Sequence, residues 1–348
     1  MPGNSFGEFF RITTFGESHG AGIGVVIDGM PPGFAISEEA IWANLKKRAP
    51  GQSSVTTSRQ EKDHPRILSG TLNGQTTGTP ICILMENEDV RSADYDPAMF
   101  RPGHADYTYF KKYGIRDHRG GGRASGRETA ARVAAGAVAK ILLHHHGIAV
   151  FAHTISVGNV HATRFEQSAI EMNPIRCADP EAAMAMVRAI EKAASKRDSL
   201  GGIVEIIAEG VPPGLGDPVF NKLDALMAMA LMSIPAVKGV EIGAGFKVAA
   251  MRGSENNDPL TTNGFLANNA GGILGGISNG EKIIARIAVK PTPSISLKQQ
   301  TRRQSGEPAE IRISGRHDPC ICPRIVPVAE SMVAIVLADR WLAQNAIR

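Results

Sequence analysis

GVVIDGMPPGF, residues 24–34, is echoed further along the chain by EIIAEGVPPGL, residues 205–215. In each segment a β-branched run leads into an acidic residue and then into Gly-x-Pro-Pro-Gly. A stretch with helical character follows both, at residues 36–48 and 218–232. Because strand, turn and helix recur together, a duplicated β/α unit explains the match better than coincidence.

The rest of the chain mixes helices and strands without a regular β-α-β-α rhythm. No G-x-G-x-x-G follows a strand, so the sequence predicts an α+β fold and argues against a Rossmann domain. We expect a single domain, residues 1–348, with related halves at approximately 1–180 and 181–348. Strands are also predicted at 80–86, 202–209 and 282–290, and helices at 180–196 and, after its prolines, 323–346.

Local signals predict some boundaries. Asp217 before Pro218 is typical of an N-cap followed by proline at the first helical position. His144–His146 read as a helix end before Gly147, since successive helical residues point in different directions and chelate a metal poorly. The glycine-rich connections at 86–127 and 252–280 lack periodicity, and their length favours functional loops.

The composition excludes several classes of protein. With 43% hydrophobic and 21% charged residues, the chain is typical of a globular protein with a sizeable core. The net charge of +4 is mild for a protein that coats nucleic acid. No apolar run approaches the roughly 18 residues that a membrane span needs, and we expect neither a secretory signal nor a membrane partner. The four cysteines lack C-x-x-C spacing, so we expect no zinc site or disulfide framework and a cytoplasmic location.

The stretch HRGGGRASGRETAARVAAGAVAKIL, residues 118–142, concentrates arginine and glycine before an alanine-rich helix. Ser125 and Glu128 have the spacing of a capping box, and a helix start with nearby arginines favours an anion such as phosphate or carboxylate. The alternatives are an i,i+4 ion pair between Glu128 and Arg132 and, for the loop, a solvated basic segment. This stretch alone does not decide between them.

Three Gly/Pro-framed segments carry histidine, aspartate and arginine. A lone histidine is more often a surface or structural residue, but three such segments together favour proton transfer near neutral pH beside a bound anion. Their candidate residues are Ser18 and His19, Arg101 and His104, and Arg316, His317 and Asp318.

Seven collinear segments resemble the chorismate synthase family. They are FGESHG (15–20), RPGHAD (101–106), GGGRASGRET (120–129), VKGVEIGAGF (237–246), NNAGGILGGISNG (268–280), KPTPSI (290–295) and GRHDPC (315–320). The resemblance implies a carbon–oxygen lyase that converts 5-enolpyruvylshikimate 3-phosphate to chorismate by 1,4-anti elimination of phosphate, the last step of the shikimate pathway. It also implies reduced FMN with no net redox change, a β-α-β sandwich with an internal duplication, and a homotetramer.

The resemblance implies a role for each matched residue. His19 would donate a proton to the departing phosphate, His104 would lie near the flavin ring, and Asp318 would assist proton removal at flavin N5. Substrate contacts would come from Ser18, Arg48, Arg101, Ser125, Arg127 and Arg316. Cofactor contacts would come from Arg48, Ser54, Ser125, Gly126, Arg127, Pro235, Ala236, Gly275, Lys290, Pro291, Thr292, Pro293, Ser294 and Arg316. No metal is implied.

Two positions depart from the family pattern. Ser54 stands where arginine is common, and Pro235 stands where a polar residue is usual. NADPH is expected only as a source of flavin reduction, and an external flavin reductase is expected because no reductase domain is recognisable. The alternatives are an RNA-binding protein, against which the 5% aromatic content argues, and a flavin oxidoreductase that consumes its reduced flavin.

Overall fold

The structure is a computed structural model, and it describes residues 3–51, 61–88, 96–313 and 317–347. These residues form two five-stranded antiparallel sheets that pack on either side of a layer of helices. The predicted α+β class and the β-α-β sandwich are therefore confirmed. In this described part of the chain, no helix is both long and apolar enough to cross a membrane.

The first sheet is built from the N-terminal part of the chain, and the echoed segment 24–34 begins on its central strand and continues into the turn that follows. Alternate residues of that strand and its neighbour face the helices and are buried, as a strand's period of two requires. In pairing order the strands are β1 (Ser5–Phe6), β2 (Arg11–Gly16), β3 (Gly22–Asp28), β7 (Ile81–Glu86) and β4 (Arg66–Ser69).

The other echoed segment, 205–215, likewise begins on the central strand of the second sheet. In pairing order its strands are β11 (Val237–Ile242), β16 (Ile283–Val289), β10 (Gly202–Glu209), β8 (Ala149–Val157) and β9 (Val160–His161). The three predicted strands are confirmed to within one residue at each end. Strands β8 and β9 of the second sheet precede residue 181, so the boundary between the two sheets lies earlier in the chain than the predicted boundary between the halves. The duplication itself stays a prediction.

Among the described residues, four short two-stranded hairpins lie outside the two five-stranded sheets. They pair β5 (Thr71–Leu72) with β6 (Gln75–Thr76), β12 (Leu260–Thr261) with β13 (Gly264–Phe265), β14 (Ile273–Leu274) with β15 (Ile277–Ser278), and β17 (Gln299–Arg302) with β18 (Pro308–Ile311). Two of them, with a short helix, occupy residues 252–280, and another helix lies within 86–127. Neither glycine-rich connection is therefore a continuous irregular loop.

The helices are α1 (Glu38–Arg48), α2 (Asp106–Tyr113), α3 (Thr129–His145), α4 (Pro180–Ser195), α5 (Leu223–Met232), α6 (Gly253–Asn256) and α7 (Cys322–Ile347). The predicted helices at 36–48 and 180–196 are confirmed, and so is the helix end at the histidine run. Ser37 caps α1, and Asp179 caps α4.

Two predicted helix starts are wrong. Helix α5 begins at Leu223, and Asp217 instead accepts a hydrogen bond from Arg340 at 2.9 Å (Nη1 to Oδ2). Helix α7 begins at Cys322, before both of its prolines. Pro323 is tolerated in the first turn, where no intrahelical N–H bond is lost, and Pro327 lies inside the helix.

Helices α3 and α7 cross at the centre of the sandwich, where both are buried over most of their length. A Cβ atom added at Gly136 of α3 would lie 2.2 Å from the Cβ atom of Ser331 of α7, so only glycine allows this close crossing. The crossing also places the N-terminal ends of both helices at the same cavity.

Candidate active site

A cavity of about 460 Å³ opens where the N-terminal ends of α3 and α7 meet the C-terminal end of α1. Most of the predicted site residues line it, although they come from distant parts of the sequence. Those that do are His19, Arg48, Arg101, His104, Ser125, Gly126, Arg127, Pro235, Ala236, Lys290, Thr292, Pro293, Ser294 and Asp318.

The remaining predicted residues lie elsewhere. Ser18 is buried beside the wall, and Pro291 lies between two lining residues. Gly275 is exposed in the turn between β14 and β15 and does not line the cavity. Ser54 and Arg316 lie outside the described residues.

The imidazole of His19 is seated on the backbone of Gly120. That glycine has a φ of +61°, and a Cβ atom there would lie 2.3 Å from His19 Nδ1 and 2.9 Å from Ser18 Oγ. The close approach therefore requires glycine, as the glycine run of the sequence suggested. The hydroxyl of Ser18 is buried without a hydrogen-bond partner among the described residues, so a polar ligand atom would satisfy it.

The arginine-rich stretch enters α3 through a 3₁₀ turn at residues 126–128. Ser125 Oγ accepts a hydrogen bond from the backbone N–H of Arg127 at 3.3 Å, so Ser125 caps this 3₁₀ turn. Helix α3 itself begins later than predicted, at Thr129, and has no side-chain N-cap. The capping box is not formed, because Glu128 binds Arg132 at 2.9 Å, as the alternative interpretation expected.

Asp63 joins two of the predicted anion-binding arginines. One carboxylate oxygen accepts a hydrogen bond from Arg48 Nη2 at 2.6 Å, and the other accepts one from Arg127 Nη1. Burial raises the pKa of Asp63, but the two arginines outweigh burial and hold this pKa below its usual value. Sequence reasoning missed Asp63, since no local pattern marks it.

Arg48 keeps part of its guanidinium group unsatisfied. The residue is 1% exposed, yet its Nε and Nη1 atoms have no hydrogen-bond partner among the described residues. Burial lowers the pKa of Arg48 to about 10, against the opposite effect of Asp63, so it remains charged at neutral pH. These two buried donor atoms of a charged group favour a further acceptor, which an anion in the cavity could supply.

Two further ion pairs orient cavity residues. Arg101 donates two hydrogen bonds to Asp106 in a bidentate arrangement, from Nε to Oδ2 at 2.8 Å and from Nη2 to Oδ1 at 2.9 Å. Arg324 Nη1 donates to Asp318 Oδ2 at 2.6 Å, and Arg324 Nε donates to the carbonyl oxygen of Arg48 at 3.1 Å. Arg324 was missed from the sequence, because only the fold brings it to the cavity.

The hydrogen bonds of His104 define its tautomer. Nδ1 lies 3.0 Å from the carbonyl oxygen of Pro102, which can only accept, so Nδ1 carries the hydrogen. Nε2 of the neutral ring then accepts from Ser294 Oγ at 2.7 Å. Burial, reinforced by the charge of Arg101, lowers the pKa of His104 to about 4. His104 is therefore neutral at pH 7.

The cavity carries more positive than negative charge. Among the described lining residues, five are lysine or arginine and three are carboxylates, with three histidines beside them. Thr292 Oγ1 is buried there, and no other described residue forms a hydrogen bond with it. An apolar patch comes from the start of α7, with Ile321, Ile325 and Val328. The arrangement can hold a small polyanion next to a flat apolar group, with imidazoles available for proton transfer.

Comparisons with known proteins agree over nearly the whole chain. A family model described as chorismate synthase matches residues 10–342. The chorismate synthase of Syntrophus aciditrophicus is 58% identical over 353 residues, covering 100% of this chain and 99% of that protein. The one from Methanosarcina mazei is 56% identical, covering 100% of this chain and 98% of that protein. A crystal structure of a chorismate synthase has a TM-score of 0.79 at 33% identity, covering 97% of this chain and 93% of that chain.

Proposed function

The chain belongs to the chorismate synthase family, and we propose that its cavity binds 5-enolpyruvylshikimate 3-phosphate together with reduced FMN. The enzyme is a lyase that forms chorismate from this phosphate ester in the shikimate pathway, which supplies aromatic amino-acid biosynthesis. The observation that carries the assignment of the cavity is the buried guanidinium of Arg48, whose Nε and Nη1 have no partner among the described residues and which lies in a wall rich in arginine.

The residues of the cavity fit both ligands. The substrate carries two carboxylates and a phosphate, and FMN carries another phosphate, so an excess of lysine and arginine is the expected lining. The α7 patch of Ile321, Ile325 and Val328 suits an apolar ring. When bound, reduced FMN would supply transient electron donation to the substrate without net redox change.

We assign the substrate's anions to the arginines. Arg48 and Arg127 are held by the shared carboxylate of Asp63, and Arg101 is held by Asp106, so these side chains are oriented before the ligand arrives. Such preorganisation lowers the entropy that binding costs. Ser18 and Ser125 add hydroxyl groups near the same wall, and the predicted contact from Arg316 lies outside the described residues.

Three side chains would handle protons. His19 would donate a proton to the departing phosphate oxygen, because it lies at the cavity on the Gly120 backbone among the anion-binding residues. His104, neutral at pH 7, would lie near the flavin ring and help set its protonation, with its own ring oriented by the Nε2 hydrogen bond to Ser294. Asp318, held by Arg324, would accept a proton from flavin N5.

The remaining expectations stay proposals. We retain the homotetramer, supported by exposed apolar side chains such as Phe220, Phe246 and Leu266. We also retain NADPH solely as a source of flavin reduction, an external flavin reductase, the cytoplasmic location and the cofactor contacts of Gly275 and Ser54.

An anaerobic assay with photoreduced FMN and 5-enolpyruvylshikimate 3-phosphate tests the proposal. Chorismate absorbance and phosphate release should rise together while the flavin ends reduced. His19→Ala and His104→Ala should each lose about a hundredfold or more in turnover, the usual contribution of a general acid or base. The control is His161→Ala, at an exposed histidine of β9, which should turn over like the wild type. Wild-type rates in both active-site variants would contradict these roles, and net flavin oxidation would favour an oxidoreductase.

A further inference from the structure

Arg132 joins two walls of the cavity without lining it. It lies in the first turn of α3, and its guanidinium donates to Ser233 twice, from Nη1 to Oγ at 2.6 Å and from Nη2 to the carbonyl oxygen at 3.2 Å. The same group binds Glu128 through Nε at 3.1 Å and Nη2 at 2.9 Å. One side chain, 16% exposed, thereby connects the start of α3 to the residue that follows α5.

Ser233 leads directly into the cavity wall. Pro235 and Ala236 line the cavity two and three residues later. Ala236 has a φ of +72°, a left-handed conformation that is unfavourable for a residue with a Cβ atom. Such a conformation persists only where the surrounding contacts impose it.

Hydrogen bonds also hold the other end of this wall, at Ala236. The carbonyl oxygen of Ala236 accepts a hydrogen bond from the backbone N–H of Lys290 at 3.0 Å. The ammonium group of Lys290 donates in turn to the carbonyl oxygen of Gly103 at 2.7 Å, next to His104. The wall therefore lies between two attachments, Arg132 before it and Lys290 after it.

A purely helical role explains only part of these contacts. An ion pair between Glu128 and Arg132 at i,i+4 would stabilise α3 alone. The two bonds to Ser233 do nothing for α3, yet they use the fork geometry that distinguishes arginine from lysine.

We infer that Arg132 is a positioning residue that holds the Ser233–Ala236 segment against the start of α3. It thereby fixes the separation between the Ser125–Arg127 wall and the Pro235–Ala236 wall. The ligand that would sense this separation is FMN, so this part of the inference rests on the proposed function. The effect on the segment itself does not depend on any ligand.

The first measurement uses the ligand-free protein. Hydrogen exchange of the backbone amides of Ile234 and Val237, which donate to the carbonyl oxygens of Leu231 and Ile234, should be faster in Arg132→Ala than in the wild type. Arg132→Lys, which keeps the charge and loses the fork, should be intermediate. The matched control is Arg188→Ala, at an exposed arginine of α4. Unchanged exchange in folded Arg132→Ala would overturn the inference whether or not FMN binds.

The second measurement separates positioning from general damage. The Kd of oxidised FMN, titrated with 5-enolpyruvylshikimate 3-phosphate present, should rise about tenfold in Arg132→Ala, the order expected for losing hydrogen bonds to a charged group. At saturating FMN and substrate, kcat should return to within a few-fold of the wild type. Adding Ala236→Gly to Arg132→Ala should restore part of the affinity, because glycine adopts the left-handed conformation without strain. Two results would contradict the positioning role of Arg132: a fall in kcat at saturation with an unchanged Kd for FMN, or no recovery of FMN affinity in the double variant. If the wild type itself binds no FMN, the proposed function is rejected instead.

Discussion

Replacing Asp63 with alanine should lower the free energy of unfolding by about 3–5 kcal/mol, the cost of removing one partner from a buried ion pair. The carboxylate is 0% exposed, and its two partners, Arg48 and Arg127, are 1% and 3% exposed. Both guanidinium groups would lose their shared counterion at once. Glu61, 3.8 Å from Arg127, would remain and should keep the loss within this range.

Urea unfolding at pH 7, extrapolated linearly to water, measures this loss. Asp63→Asn keeps the side-chain shape and should lose most of the same free energy, which separates charge from volume. Arg66→Ala is the control, since its ion pair with Glu86 at 3.3 Å is more than half exposed and should contribute at most about 1 kcal/mol. A loss of less than about 1 kcal/mol in both Asp63 variants would refute the reasoning.

The same pair predicts a dependence on pH. Burial raises the pKa of Asp63, but Arg48 and Arg127 lower it further, so the folded pKa lies below the unfolded value of about 4. The stabilisation is therefore fully present above about pH 4 and is lost as the pH falls through the folded pKa. The difference between wild type and Asp63→Ala should shrink in acid, and a difference that grows there would contradict this assignment.

Three other predictions concern stability and titration. Asp179→Ala should lower the free energy of unfolding by about 1–2 kcal/mol, because α4 loses its N-cap. Backbone hydrogen bonds, led by that of Thr163, lower the Asp179 pKa to about 2. Urea unfolding should therefore show the wild type losing this stabilisation between about pH 4 and 2. The ring of His104 in the protein without added ligands should titrate near pH 4 by NMR. Stability should fall from about pH 6.5 to 4, because the unfolded ring takes up a proton first; an NMR pKa near 6.5 would contradict this pH dependence. Gly136→Ala should lower stability by about 1–3 kcal/mol through overpacking, and Ser331→Gly in the same chain should recover part of it in thermal melts.

The strands were predictable because their signal is local. Buried strands β7, β10 and β16 have apolar side chains at the spacing that one covered face requires, and their limits fall within one residue of the prediction. The start of α5 was not predictable in this way. Asp217 and Pro218 have the local pattern of a cap, but the carboxylate is taken by Arg340, more than a hundred residues away.

The candidate site divides along the same line. The motif residues His19, His104 and Ser125 were found because glycine or proline frames them and a family pattern contains them. Asp63 and Arg324 were missed, since each matters through a partner that only the fold brings near. A carboxylate in an ordinary polar stretch carries no sign that it will bridge two buried arginines.

The missed residues explain how the fold tolerates the charge that the motifs supply. A buried guanidinium without a partner would be costly, so an anion-binding wall made only of arginines would destabilise the protein. Asp63 offsets that cost at one edge of Arg48 and leaves Nε and Nη1 without a partner among the described residues. The arginine is thus fixed in orientation during folding, while part of its hydrogen-bonding capacity remains for a ligand. Lysine could divide its three donors between two partners but could not fix their directions, because its ammonium group lacks the rigid fork of a guanidinium. Because each cavity arginine is paired with a carboxylate, the cavity keeps only a small excess of positive charge. That excess favours ligands with several negative groups, so the pairing contributes to the selection of a polyanion.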